Sequence, residues 1–321
     1  MTLAREELEK DGFAKIKSVI PSKLAFEQTT SIWQNLEEFA TQTESNLSNY
    51  LTAVSRWVTP SPIVKKLDSI LLDKIESLIN TTVGPCSFIK SNLISKTVYA
   101  PGCIPFHQDI SYSPTNPYDV TAWLMLTDCP ENSGCLRFVK GSHLQDINPA
   151  MDFWSPDFVD KVESKFRNYA VNIPGKAGDV ILFDSRVYHS SGFNKIGFNR
   201  FAYVTRWRLE NSDKKRKIPP ISASYFGMWT CSDLTKKILS KSLIDFFNII
   251  PPTNYCELLQ LWKELYFLSS ISINLEDAKR SLDNVIILNK AHELHYGGDG
   301  QGIHYKNLWH DLLKKICTHS T

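Results

Sequence analysis

Up to Ile79 the apolar residues recur mainly at helical spacing, whereas between 86 and 209 they fall into short runs broken by turn residues. Residues 2–10 read as a short helix, and the apolar stretch Gly12–Ile20 as a segment able to enter a sheet. Pro21-Ser22 opens a helical pattern over Lys23–Phe39, carried by Leu24, Phe26, Ile32, Trp33, Leu36 and Phe39. A further helix is predicted over Pro62–Ile79, with Ser61 as N-cap, Pro62 as first helical residue and a stripe of Ile63, Leu67, Ile70, Leu71, Ile75 and Leu78. Strands are predicted at 87–100, 119–127, 135–139, 169–173, 179–183 and 199–209. Pro101-Gly102, Asn132-Ser133-Gly134, Gly141-Ser142, Pro174-Gly175 and Gly178-Asp179 separate them.

Many short strands preceded by helices predict a mainly β protein, a sandwich or barrel with helices packed outside. Beyond Pro219-Pro220 the pattern is helical again, at 232–248, 254–270, 275–290 and 304–317. The expected division is therefore 1–209 as the β domain with its N-terminal helices, and 210–321 as a helical extension. Its apolar helices need burial, which leaves two roles open: a cap over the site, or homodimerisation.

Composition narrows the class. With 42% hydrophobic and 22% charged residues among 321, the chain has the means for a globular core. A net charge of +2 gives no electrostatic case for nucleic acid or an anionic membrane, and the basic run Lys214–Lys217 reads as a solvated linker. No stretch reaches the ~20 apolar residues of a membrane helix. Residues 1–13 are charged and lack a secretory core. Seven scattered cysteines without a Cys-x-x-Cys pair fit reduced thiols and a cytoplasmic setting.

The chemistry is concentrated in Pro105-Phe106-His107-Gln108-Asp109. A histidine and a carboxylate two apart on an extended chain project to one face, so both can bind one ion. A second histidine, His189, follows just past the end of the apolar strand that Gly178-Asp179 opens. Two histidines and one carboxylate on one face of an octahedral ion leave three positions open, the arrangement of non-haem Fe(II) oxygenases. Arg200, eleven residues after His189, supplies a rigid guanidinium suited to bidentate capture of the far carboxylate of 2-oxoglutarate. By contrast, His143 reads as a turn residue, and His292-Glu293-Leu294-His295 has the wrong spacing for a helical zinc motif.

These residues, with Ala122-Trp123-Leu124, Ser133-Gly134-Cys135-Leu136, Lys140-Gly141-Ser142-His143, Gly178-Asp179-Val180 and the opening Glu9-Lys10-Asp11-Gly12-Phe13, resemble the phytanoyl-CoA dioxygenase family of Fe(II)/2-oxoglutarate oxygenases over roughly 5–209. The resemblance implies a double-stranded β-helix fold, with Fe(II) on His107, Asp109 and His189 and with 2-oxoglutarate and O2 as co-substrates. It implies that Arg200 pairs with the distal carboxylate. It also implies that Asn92 and Lys96, four apart on the preceding strand, touch the co-substrate, where ectoine hydroxylase-like members carry an amide in place of Lys96. Trp123 matches an aromatic near the co-substrate. The presence of Asp109 separates the chain from related halogenases, which lack that carboxylate.

The implied reaction is hydroxylation of a C–H bond of a small metabolite or natural-product intermediate, with release of succinate and CO2. Desaturation, cyclisation and epoxidation use the same ligands, and a non-catalytic metal- or dicarboxylate-binding β-barrel is the alternative of another class. Candidate substrate walls lie in Ile110–Tyr118 and in the insertion Leu144–Arg167, which carries Phe153 and Trp154. Tyr99, Tyr112, Arg186 and Ser191 are candidate polar contacts, Ser191 on the co-substrate side. Arg206 and Arg208 share the alternation face of Arg200 and hint at an anionic substrate or an acidic partner.

Overall fold

The structure, a computed structural model, describes residues 3–54, 61–99, 104–112, 117–147 and 164–210. Four helices and nine strands follow in chain order: α1 (Leu3–Asp11), β1 (Phe13–Ile16), α2 (Ser22–Gln42), α3 (Leu47–Val54), α4 (Ser61–Thr82), β2 (Cys86–Lys96), β3 (Ile104–His107), β4 (Val120–Met125), β5 (Leu136–Val139), β6 (Ala170–Ile173), β7 (Val180–Asp184), β8 (His189–Ser191) and β9 (Arg200–Leu209). The expected helical extension, together with Phe153 and Trp154, lies outside the described residues. Those residues fall in two compact units, residues 36–54 and Ser61 belonging to one and the rest to the other. Among them no helix is long and apolar enough to cross a membrane.

The strands form two antiparallel sheets, β1-β7-β4-β9-β2 and β3-β8-β5-β6. This is the double-stranded β-helix expected from the sequence. Period-2 alternation divides the faces. On β9, Phe201 and Tyr203 point outward to the helices: Trp33 of α2 lies edge-on to Phe201 at 6.4 Å, and Tyr203 Oη donates to Asp68 Oδ1 of α4 at 2.6 Å. Ile63, Leu67, Leu71, Ile75 and Ile79 of α4 are buried at four-residue intervals, while Phe26 of α2, counted in the predicted stripe, is 47% exposed. Between the sheets, Phe13, Trp123, Phe138, Ile181, Phe183, Ala202 and Val204 make a continuous apolar core.

Three elements differ from the sequence reading. β3 and β8, four and three residues long, lie where a connection is expected, because runs this short give no periodic signal. Each is fixed by its neighbour through the pairs Ile104↔Ser191 and His107↔His189. His189 therefore begins a strand of its own rather than trailing β7. Helix α3, only eight residues long, carries too few turns to stand out.

Candidate metal centre and co-substrate pocket

The extended chain ends at His107, and Asp109 opens a single 3-10 turn, Asp109–Tyr112. The two ligands thus meet through a turn and not through strand alternation, which corrects the geometric premise of the sequence reading. The turn is tied down on both sides. Ile110 N donates to Ser185 O at 2.9 Å, and Gln108 Nε2 donates to Arg186 O at 2.7 Å, both in the β7–β8 connection. That connection delivers His189 directly opposite His107.

His107, Asp109 and His189 bring their ligand atoms within 4.8 Å of one another, all buried. Asp109 Oδ1 lies 3.3 Å from His107 Nε2 and 3.6 Å from His189 Nε2. Each imidazole turns its other nitrogen to the backbone of its own strand entry, His107 Nδ1 to Pro105 O at 2.8 Å and His189 Nδ1 to Val187 O at 3.1 Å. With Nδ1 as donor, each Nε2 presents a lone pair toward Asp109, the tautomer that metal ligation requires. Phe183 and Phe138 brace the His189 ring at 4.7 and 5.8 Å.

Burial, and then the neighbouring His107, push the His189 imidazole down to about 4, so it is neutral at pH 7. Burial opposes the charge of Asp109, but His189, the contact with His107 and the Arg206 guanidinium outweigh it and hold this carboxyl well below the usual range. A neutral imidazole and an ionised carboxylate are the forms that bind a divalent ion.

A second buried group sits where β2, β9 and β4 run side by side. Lys96 pairs with Arg200 across β2 and β9, and Trp123 of β4 lies under the guanidinium at 5.1 Å. Lys96 Nζ donates to the carbonyls of Ser191 (3.2 Å) and Gly192. Arg200 Nη1 donates to Gly134 O at 2.7 Å. Both cations are essentially inaccessible, Lys96 at 0% and Arg200 at 2%. Gly134, in the left-handed region at φ 77°, lets these chains converge: a Cβ there would stand 2.5 Å from Gly192 O and 2.9 Å from Lys96 Cδ.

Two donors in this pocket remain open. Arg200 Nε and Ser191 Oγ are buried and have no hydrogen-bond partner among the described residues. Burial pulls the Arg200 guanidinium below its ordinary range, with only the thiols of Cys129 and Cys135 acting against it. A buried cation with an unfilled N–H fits a carboxylate ligand, since such a group is costly when left unmatched. The Lewis-basic triad likewise fits a divalent metal that keeps open positions.

Other expected residues are placed differently. Arg206 Nη1 donates to the Oδ1 of Asn92, the residue expected four positions before Lys96 at the co-substrate. Arg186 is held by Asp184 through Nε (2.8 Å) and Nη2 (2.6 Å) and lines a separate cleft of about 450 Å³ with Arg5, Glu9 and His143. Tyr112 ends the turn that Asp109 begins. Tyr99 is exposed. Arg208 donates to Pro117 O, and Arg206 faces Asp109, so neither cation is left uncommitted for an anionic substrate. Thr121, whose hydroxyl donates to Asp109 Oδ2 at 3.2 Å, gave no signal in the sequence beyond its place on an apolar strand.

A double-stranded β-helix with two histidines and one carboxylate gathered at a strand pair is the architecture of the non-haem Fe(II)/2-oxoglutarate oxygenases. The family profile of phytanoyl-CoA dioxygenase (PhyH) matches residues 8–202, and the chain belongs to that family. Fe(II), 2-oxoglutarate and O2 are the cofactor set of this class of oxidoreductase.

The chain is 26% identical over 228 residues to phytanoyl-CoA dioxygenase domain-containing protein 1 of Danio rerio, covering 64% of this chain and 75% of that one. It is 24% identical over 212 residues to the peroxisomal phytanoyl-CoA dioxygenase of Mus musculus, covering 62% of this chain but only 56% of the mouse protein. Among solved structures, AviO1 from Streptomyces viridochromogenes Tue57 superposes with a TM-score of 0.49 at 22% identity, covering 65% of this chain and 95% of that one. The non-haem α-ketoglutarate-dependent carbocyclase SnoK from nogalamycin biosynthesis does so with a TM-score of 0.49 at 20% identity, covering 64% and 83%.

Proposed function

We propose that the chain hydroxylates an unactivated C–H bond of a small metabolite or natural-product intermediate, consuming 2-oxoglutarate and O2 and releasing succinate and CO2. The observation that carries this reading is a metal-competent triad in the same barrel as the buried guanidinium of Arg200, whose Nε has no hydrogen-bond partner among the described residues. His107, Asp109 and His189 would hold Fe(II), and Arg200 with Ser191 would take the distal carboxylate of the co-substrate. When bound, the metal and co-substrate supply the oxidising power, which no protein side chain here possesses.

The protein's own part is positional. The backbone bonds at both Nδ1 atoms fix the ring orientations, the β3–β8 pairing fixes their separation, and the aromatic wall of Phe138 and Phe183 keeps water from the His189 side. Lys96 holds the carbonyls of Ser191 and Gly192, which fixes the β8 exit next to Arg200. The family's name does not carry a phytanoyl-CoA substrate to this chain, since one fold hosts many substrates.

The test is an anaerobic titration of apo-protein with Fe(II) and 2-oxoglutarate, reading the visible metal-to-ligand charge-transfer band, followed by a substrate screen on succinate release and product mass. A band that needs both additions and is lost in Asp109→Ala supports the reading. A folded, iron-loaded protein without the band would overturn it in favour of a binding protein. Product mass separates hydroxylation from desaturation, cyclisation or epoxidation.

A further inference from the structure

The two oxygens of Asp109 have different partners. Oδ1 faces both histidine Nε2 atoms, whereas Oδ2 turns to Thr121 Oγ1 at 3.2 Å and to Arg206 Nε at 3.9 Å. Arg206 lies on β9 six residues beyond Arg200, on the same inward face, and pairs across the sheet with Thr121 of β4. Its guanidinium is itself restrained: Nε donates to Tyr118 Oη at 2.9 Å, Nη1 donates to Asn92 Oδ1, and the plane sits 5.4 Å from the Tyr118 ring. Three strands and the segment before β4 thus converge on one carboxylate oxygen.

We infer that Arg206 is a positioning residue, anchored by Asn92 and Tyr118, which with Thr121 reserves Asp109 Oδ2 and restricts the carboxylate to one-oxygen ligation through Oδ1. The inference rests on the metal reading of the triad proposed above. One-oxygen ligation leaves three coordination positions free on an octahedral ion. Ligation through both oxygens would take one of them from the co-substrate or from O2. Partners behind a ligand carry weight of this kind: their loss costs about 10–100-fold in metal affinity. A guanidinium near the ion also repels it, and this acts in the opposite direction, so the sign of the change distinguishes the two effects.

The test uses Co(II) as the probe on the full chain, read by its d–d absorption and by calorimetric affinity, beside Arg206→Gln, Arg206→Lys, Asn92→Ala and Asp109→Ala. Arg206→Gln is expected to weaken Co(II) binding at least tenfold and to change the d–d spectrum. Arg206→Lys is expected to recover part of the affinity. Asn92→Ala, which leaves the cation but removes its anchor, should move both readouts in the same direction by a smaller factor, and it serves alone should Arg206→Gln not fold. Binding in these variants that is unchanged or tighter than the parent overturns the inference. Asp109→Ala locates any failure: if it binds Co(II) as the parent does, the metal reading itself fails, and if it alone loses binding, only the role of Arg206 does.

Discussion

Replacing Arg200 by Gln removes the cation from the co-substrate pocket without opening a large void. Arg200 offers a buried guanidinium that donates to Gly134 O, with Nε unfilled. A hydrogen bond to a charged group contributes about 1.5–3 kcal/mol, so loss of one or two such bonds to a carboxylate amounts to about 3 kcal/mol at the centre of the range. That corresponds to a Kd about 150 times higher. Lys96, paired with Arg200 across the sheet, remains and sets a floor under the loss. Fe(II) affinity should stay near that of the parent, because no ligand of the triad touches Arg200. The assay is the charge-transfer titration at fixed saturating Fe(II), with circular dichroism to confirm folding. A folded variant whose 2-oxoglutarate midpoint lies within threefold of the parent would refute the assignment of Arg200 to the distal carboxylate.

Thr121→Val keeps shape and burial but withdraws the hydroxyl from Asp109 Oδ2; metal affinity is expected to fall about tenfold with little change in unfolding temperature, measured by calorimetry and thermal melts. Gly134→Ala places a Cβ at φ 77° and 2.5 Å from Gly192 O; the left-handed backbone alone costs about 1–2 kcal/mol, so Tm should drop by at least about 2 °C and the 2-oxoglutarate midpoint should rise. An unchanged melt would show that the loop gives way freely. Cys86 and Cys135 are buried, and burial pushes both thiols up to about 11, which leaves about one part in a thousand as thiolate at pH 8. Alkylation followed by peptide mapping should find both unlabelled in the native protein and labelled in denaturant. The same raised values contribute stability below the ordinary thiol range, which is lost as pH climbs toward 11.

The helices and the longer strands were readable because each is long enough to show: α4 buries every fourth residue, and β9 runs for ten largely buried residues. The proposed ligand residues could be picked out by type and spacing. The strands that carry the histidines were not, since β3 and β8 owe their conformation to each other and to β5 rather than to any local preference. Asp109 shows the limit from the other side. Residue type identified it, yet the route to the site is a 3-10 turn pinned by carbonyls some seventy-six residues on, at Ser185 and Arg186. The link of Arg206 to Asp109 joins β9 to a turn after β3, and alternation with Arg200 gave its face but not its partner.

The pairing of His107 with His189 has a consequence for how the chain holds together over time. Among the described residues, β3 is the outer strand of its sheet, attached on one side and through two register pairs. Strands of this kind are the first to peel away, and once loose they invite proteases and neighbouring chains. On the ligand set proposed above, an ion gripped by both histidines would act as a removable rivet across a span of about 80 residues, a closure that the chain-entropy treatment of cross-links values at about 4.5 kcal/mol. On the proposed ligand set, iron supply would bear on lifetime as well as turnover: a cell short of the metal would hold a protein whose margin is open.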